Sequence, residues 1–181
     1  MSSLFDKPDM ALLGDKSPDF CQSPQIVEHF ASAAYPLIYT VRDPRAILRS
    51  IDMQSDATDL DKAIRWETLI ANYRVWKPHL DAPNVLVVRF EDLVASPQVT
   101  MTAVYSHLGL PDSTRFLEPF ARQFPRRFLW PTAIDLEPGI KKDFDSHRIW
   151  DWSQHLSGDQ LQQVYSKPLV TEFMERFGYE R

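Results

Sequence analysis

Cysteine is almost missing from this sequence: Cys21 stands alone among 181 residues. An intrachain disulfide is therefore impossible, and a cysteine-built metal cluster is excluded. Glycine is also scarce, with five against fourteen prolines, and no G-x-x-x-x-G-K-(S/T) phosphate loop occurs among them. Positive charge is not in excess, the formal net charge being −5. That argues against a general nucleic-acid binder, whose phosphate contacts need a basic face. Any anion site must be built locally, from a few placed cations and backbone N–H groups. No apolar run approaches the roughly 20 residues that span a bilayer. The start of the chain, with Asp6, Lys7, Pro8 and Asp9, reads as neither a signal peptide nor a membrane anchor. The expectation is one cytoplasmic domain over residues 1–181, with 1–10 as a loose lead-in, no membrane partner and no nucleic acid. A hydrophobic share of 44% is enough to build its core.

Proline punctuates what remains. Ser23-Pro24 predicts a short helix to Phe30, with Ser23 as N-cap. Leu37–Val41, apolar and β-branched after Pro36, predicts a buried strand, and so does Val85–Val88. Between them a helix is predicted from Pro44 to Met53, capped by Asp43, and another over Thr58–Trp76 whose stripe is Ala63, Trp66, Ile70 and Tyr73. Ser96-Pro97 opens a further helix with Val99, Thr102 or Ala103, and Leu108 facing inward, stopped by Gly109 and Pro111. Segment 114–124 reads as helical, 125–148 as loop, and 157–177 as helix interrupted near Pro168. Strands alternating with helices imply a parallel sheet with right-handed crossovers, and ligands in such sheets lie beyond the carboxyl ends of the strands.

The junction Val41–Pro44 therefore carries the most chemistry. A buried strand delivers Arg42 to the sheet edge just ahead of a helix start, where N–H groups and the helix dipole favour an anion. Arg42 can offer a bidentate fork. Ser50 lies two turns along, on the face of the cap, and Arg45 and Arg49 could add positive potential. The plainer alternative is that Arg42 pairs with Asp43 or another carboxylate and that Ser50 is simply a small helix residue.

The segment Val41-Arg42-Asp43-Pro44-Arg45-Ala46-Ile47-Leu48-Arg49-Ser50 resembles the 3′-phosphate-binding segment of sulfotransferases that use 3′-phosphoadenosine 5′-phosphosulfate (PAPS). Arg42 and Ser50 fall on the positions that hold the 3′-phosphate in that family. Val85–Pro97, with Arg89-Phe90-Glu91-Asp92-Leu93 at its centre, is similar to the family's strand–RYEDL–Pro segment. His107-Leu108-Gly109-Leu110-Pro111, Gly14-Asp15-Lys16-Ser17-Pro18, Ser146-His147-Arg148 with Trp152 and Leu156-Ser157, and Phe177-Gly178-Tyr179 match further elements in order. The resemblance implies a three-layer α/β fold of the P-loop NTPase-like sulfotransferase kind, PAPS as co-substrate and no metal. It implies Arg42 and Ser50 on the 3′-phosphate, Arg148 as a third phosphate contact, Phe90 against the adenine, and Lys16 toward the sulfate. Glu91-Asp92 could suggest a metal pair, but a turn with helix-start carboxylates accounts for them. Asp15, His29 and His147 are the nearest choices for a base.

One family element is not found. Members carry a strand and a P-(K/R)-(S/T)-G-T-(T/S) turn that wraps the 5′-phosphosulfate; Met1–Leu13 has no such pattern, so the fold is expected to be N-terminally incomplete. That strand would lie between the strands at 37–41 and 85–89, for which three outcomes are then open: direct pairing, recruitment of another chain, or poor stability. Three functions stay open: sulfate transfer to a hydroxyl or amine of a small-molecule, glycan or protein acceptor, impaired in this chain alone; a non-catalytic remnant that binds PAPS or adenosine 3′,5′-bisphosphate; or a subunit whose sheet a separate N-terminal chain completes.

Overall fold

Three of the five residues in Leu37–Val41 are β-branched, which favours extended backbone. In the computed structural model, which describes residues 23–33, 35–52, 59–110, 149 and 152–180, this run is strand β1 (Leu37–Val41), and β2 is Val85–Arg89. The two lie side by side and parallel, Leu37 opposite Val85 and Val41 opposite Arg89. Direct pairing was one of the three outcomes open to these strands, and among the described residues they form a two-stranded sheet. The amino end of the ladder is tied down from outside. Leu37 N–H donates to the Asn84 carbonyl at 2.7 Å, and His107 Nε2 lies 3.0 Å from the Leu37 carbonyl and 3.1 Å from that of Asn84.

Helices α1 (Pro24–Ser32), α2 (Pro44–Asp52), α3 (Asp59–Trp76) and α5 (Pro97–His107) follow the predicted punctuation, while α4 (Phe90–Ala95) forms where only a turn was expected. After residue 148 come α6 (Trp152–His155), α7 (Gly158–Tyr165) and α8 (Pro168–Arg176). The interruption at Pro168 is thus a true break. Ser157 starts α7 with a reciprocal capping box: its hydroxyl accepts from the Gln160 N–H while Gln160 Oε1 accepts from the Ser157 N–H, satisfying two N–H groups that the helix cannot bond itself. Among the described residues, two helices end in glycine and close the same way. Gly109 and Gly178 take φ of 66° and 70°, and the N–H of the next residue reaches back to Tyr105 and Met174 respectively. This is the Schellman closure that glycine permits.

One apolar cluster holds the molecule together. Tyr39 and Val41 of β1 meet Trp66, Tyr73 and Trp76 of α3, and Val170, Phe173 and Met174 of α8. Phe173 and Phe177 meet edge-to-face at 4.7 Å between centroids, the arrangement the ring quadrupoles prefer.

Three expectations need correction. β1 is buried on one face rather than both: Tyr39 and Val41 point into the cluster, while Ile38 and Thr40 are exposed, as the two-residue alternation of a strand requires. Val99 is 72% exposed, and Val104 is the buried residue of α5. Five positions are about 140° around a helix at about 100° per residue, so the inward face was read out of phase. Ser23 occupies the N-cap of α1 but gives no side-chain cap; its hydroxyl donates to Gln25 Oε1 at 3.2 Å instead.

Candidate functional site

Because β1 and β2 run parallel with Val41 opposite Arg89, the residues that leave the ladder next, Arg42 and Phe90, emerge together at the carboxyl edge. The Arg42 guanidinium sits over the Phe90 ring, its Cζ 4.4 Å from the centroid. Such a cation–ring contact is worth about 0.5–1 kcal/mol where water has access. It also holds the fork over a flat apolar surface. Both side chains line an open cleft of about 380 Å³ together with Thr40 of β1, Ile47 of α2, and Thr68 and Asn72 of α3. The cleft lies where a parallel sheet places its ligands.

The helix start beside it is built differently from expectation. Asp43 caps α2 as predicted, its Oδ1 accepting the Arg45 N–H at 2.8 Å. But the Asp43 N–H donates to Glu91 Oε1 at 2.9 Å, so the N–H groups of Asp43 and Arg45 are both taken by carboxylates. Arg45 is not an outward cation either. It is 3% exposed and locked on Asp43, with Nη2 to Oδ2 at 2.7 Å and Nε to Oδ1 at 3.0 Å. Its Nη1 donates to the Glu180 carbonyl at 2.6 Å and to the Tyr165 hydroxyl at 3.3 Å, and the Trp152 ring covers it at 3.9 Å. Burial disfavours the charge, yet the hydrogen bonds and field of Asp43 outweigh it and hold the guanidinium pKa above its ordinary value. Asp43, one carboxylate suspected for Arg42, is thus bound by Arg45, three residues on from Arg42.

Glu91 is the least foreseeable member. It is 7% exposed and bridges two distant parts of the chain, since the Tyr179 hydroxyl donates to its Oε2 at 2.8 Å. Burial, and then the neighbouring Glu91 charge, push the Tyr179 pKa well up. Asp92 lies on the other side, 3.9 Å from Arg89 Nε. The two adjacent carboxylates therefore have separate structural partners.

The cleft brings together Arg42 and Phe90. Ser50 is half-buried on α2, one turn beyond Ile47 and so on the same side of the helix, but it is not part of the cleft wall. His29 stands exposed on α1, a helix whose last turn is tied by Asn84 Nδ2 to the Ala31 carbonyl. That is the amino end of the sheet, about 16 Å of extended chain away from Arg42. Lys16, Arg148, Asp15 and His147 lie outside the described residues. Sequence reasoning missed Thr68 and Asn72: their spacing of four puts them on one face of α3, but nothing local marks that face as the one that meets the sheet edge.

The sequence matches the Sulfotransferase family over residues 2–114, well over half of the chain. No curated protein matches it. Among solved structures it is similar to a sulfotransferase domain from the curacin biosynthetic pathway, with a TM-score of 0.69 and 21% identity over 93% of this chain and 63% of that one. At that identity the likeness speaks for the fold, and this chain spans less than two thirds of the other's length. The parallel α/β core agrees with both findings: the chain belongs to the sulfotransferase family.

Proposed function

We propose that this chain binds the adenosine 3′-phosphate end of PAPS and takes part in sulfate transfer to a hydroxyl or amine acceptor. The observation that carries this is the Arg42 guanidinium stacked on Phe90 within an open cleft at the carboxyl edge of the sheet. A cation beside an aromatic face suits a phosphorylated nucleoside. The guanidinium offers two parallel N–H donors to phosphate oxygens, and the ring offers a surface to the base. Ser50 would add a hydroxyl to the same phosphate. With the N–H groups of Asp43 and Arg45 engaged, recognition falls to these side chains rather than to the helix start. When bound, PAPS supplies the sulfuryl group. This chain's contribution is positioning and charge stabilisation, the main sources of catalysis in phosphoryl and sulfuryl transfer. Lys16 toward the sulfate and Arg148 on the phosphate complete the proposal.

Residues 1–181 contain no P-(K/R)-(S/T)-G-T-(T/S) turn. That favours a second reading, binding without turnover unless another segment or a partner chain supplies the sulfate end. Isothermal titration with adenosine 3′,5′-bisphosphate tests the first claim. Arg42→Ala should weaken binding at least about tenfold, since a charge-assisted contact is worth about 1.5–3 kcal/mol; equal affinities would refute it. A labelled-sulfate transfer assay on residues 1–181 should show no product, and robust turnover would refute the second.

A further inference from the structure

Beyond the cleft itself, the chain's last turn reaches back to the residue next to Arg42. Helix α8 ends at Arg176, and Gly178 at φ 70° reverses the backbone, with the Tyr179 N–H bonded to the Met174 carbonyl at 2.8 Å. The turn sends Tyr179 inward, where it is 5% exposed and lies under the Arg89 guanidinium, 4.7 Å from ring to Cζ. Its hydroxyl donates to Glu91 Oε2 at 2.8 Å, and Glu91 Oε1 accepts the Asp43 N–H at 2.9 Å. The next residue joins the same junction from its other side, the Glu180 carbonyl accepting from Arg45 Nη1 at 2.6 Å.

We propose that the Gly178–Glu180 tail positions Arg42, with Tyr179 and Glu91 as positioning residues for the ligand. This rests on the proposed reading of Arg42 as the phosphate-binding residue. Arg42 leaves β1 after its last ladder residue, Val41, so its direction depends on the peptide that follows. The N–H of that peptide, at Asp43, is held by Glu91. Glu91 in turn depends on Tyr179 for its second oxygen, because a buried carboxylate keeps one orientation when both oxygens are bonded. The tail therefore fixes the turn that aims the guanidinium into the cleft, without touching the ligand.

The test is Tyr179→Phe, which removes a single hydroxyl and keeps the ring in the core. Two quantities are measured well below the melting temperature: affinity for adenosine 3′,5′-bisphosphate by titration, and residue-resolved amide hydrogen exchange by NMR. The expected result is binding about three- to tenfold weaker, the range of one lost hydrogen bond. Exchange should quicken several-fold at the Asp43 amide, while the Leu37 amide at the other end of β1 keeps its rate. Glu91→Ala, which removes both bonds, should weaken binding further. A purely structural role predicts equal quickening at Asp43 and Leu37 with unchanged affinity in the folded variant, and that result would overturn the proposal. Wild-type protein that binds no bisphosphate would overturn the reading of Arg42 itself. Tight wild-type binding matched by Tyr179→Phe would overturn the positioning role alone.

Discussion

Two arginines three positions apart have opposite fates. Arg42 is half-buried against Phe90 in the cleft, and Arg45 is sealed between Asp43, Glu180 and Trp152. Nothing local in R-D-P-R separates them. The difference arises because Trp152, Tyr165 and Glu180 arrive from more than a hundred residues away, and distant partners leave no periodic trace in sequence. Asp43, in contrast, was legible as a cap, since its contact with the Arg45 N–H is made within two residues. The two roles predict different failures. Arg45→Ala leaves the Asp43 carboxylate buried and unpaired, so stability should fall by about 3–5 kcal/mol, read by denaturant unfolding. Arg42→Ala should change stability by much less while losing the ligand. Gly178→Ala is a milder case. A Cβ there would meet Arg89 Nη1 at 3.8 Å, an ordinary contact, so the cost is backbone strain of about 1–2 kcal/mol for a non-glycine residue in left-handed geometry.

At the scale of elements, the helix and strand boundaries followed from Pro, Gly and cap residues, which act locally. The facing of those elements was less legible. The inward side of α5 was misjudged because an eleven-residue helix with apolar residues all round gives no sharp stripe. Helices α3 and α8 are clamped by a network that the sequence did not suggest. Tyr73 donates to Glu172 Oε1 at 2.8 Å, and Lys77 pairs with the same oxygen. Hydrogen bonds from Lys77 and Tyr73 lower the Glu172 pKa. Burial, and then Glu172, push the Tyr73 hydroxyl up to about 12 from its usual 10.0. The signs follow from linkage. A lowered carboxyl pKa gives stability that is present above pH 4.5 and lost as pH falls through the folded value. A raised phenol pKa gives stability that is present below pH 10 and lost as pH rises toward 12. Thermal melts should therefore be steady near neutrality and decline at both ends. Tyr73→Phe should flatten the alkaline decline and Glu172→Gln the acid one; unchanged profiles in these variants would remove the clamp from the account.

For the whole molecule, the α/β class and the family were legible because six weak motifs occur in the right order, and order is harder to meet by chance than any one motif. The wall of the cleft was not legible, since Thr68, Asn72 and Ile47 meet Arg42 through packing of α3 and α2 over the sheet edge. A chain with a net charge of −5 must attract an anion through a few placed groups, so its affinity should track Arg42 rather than overall charge. The most direct measurement compares adenosine 3′,5′-bisphosphate with adenosine 5′-monophosphate in the wild type and in Arg42→Ala. The account predicts that the wild type prefers the bisphosphate by at least about tenfold and that the variant binds the two ligands almost equally. An undiminished preference in Arg42→Ala would contradict it.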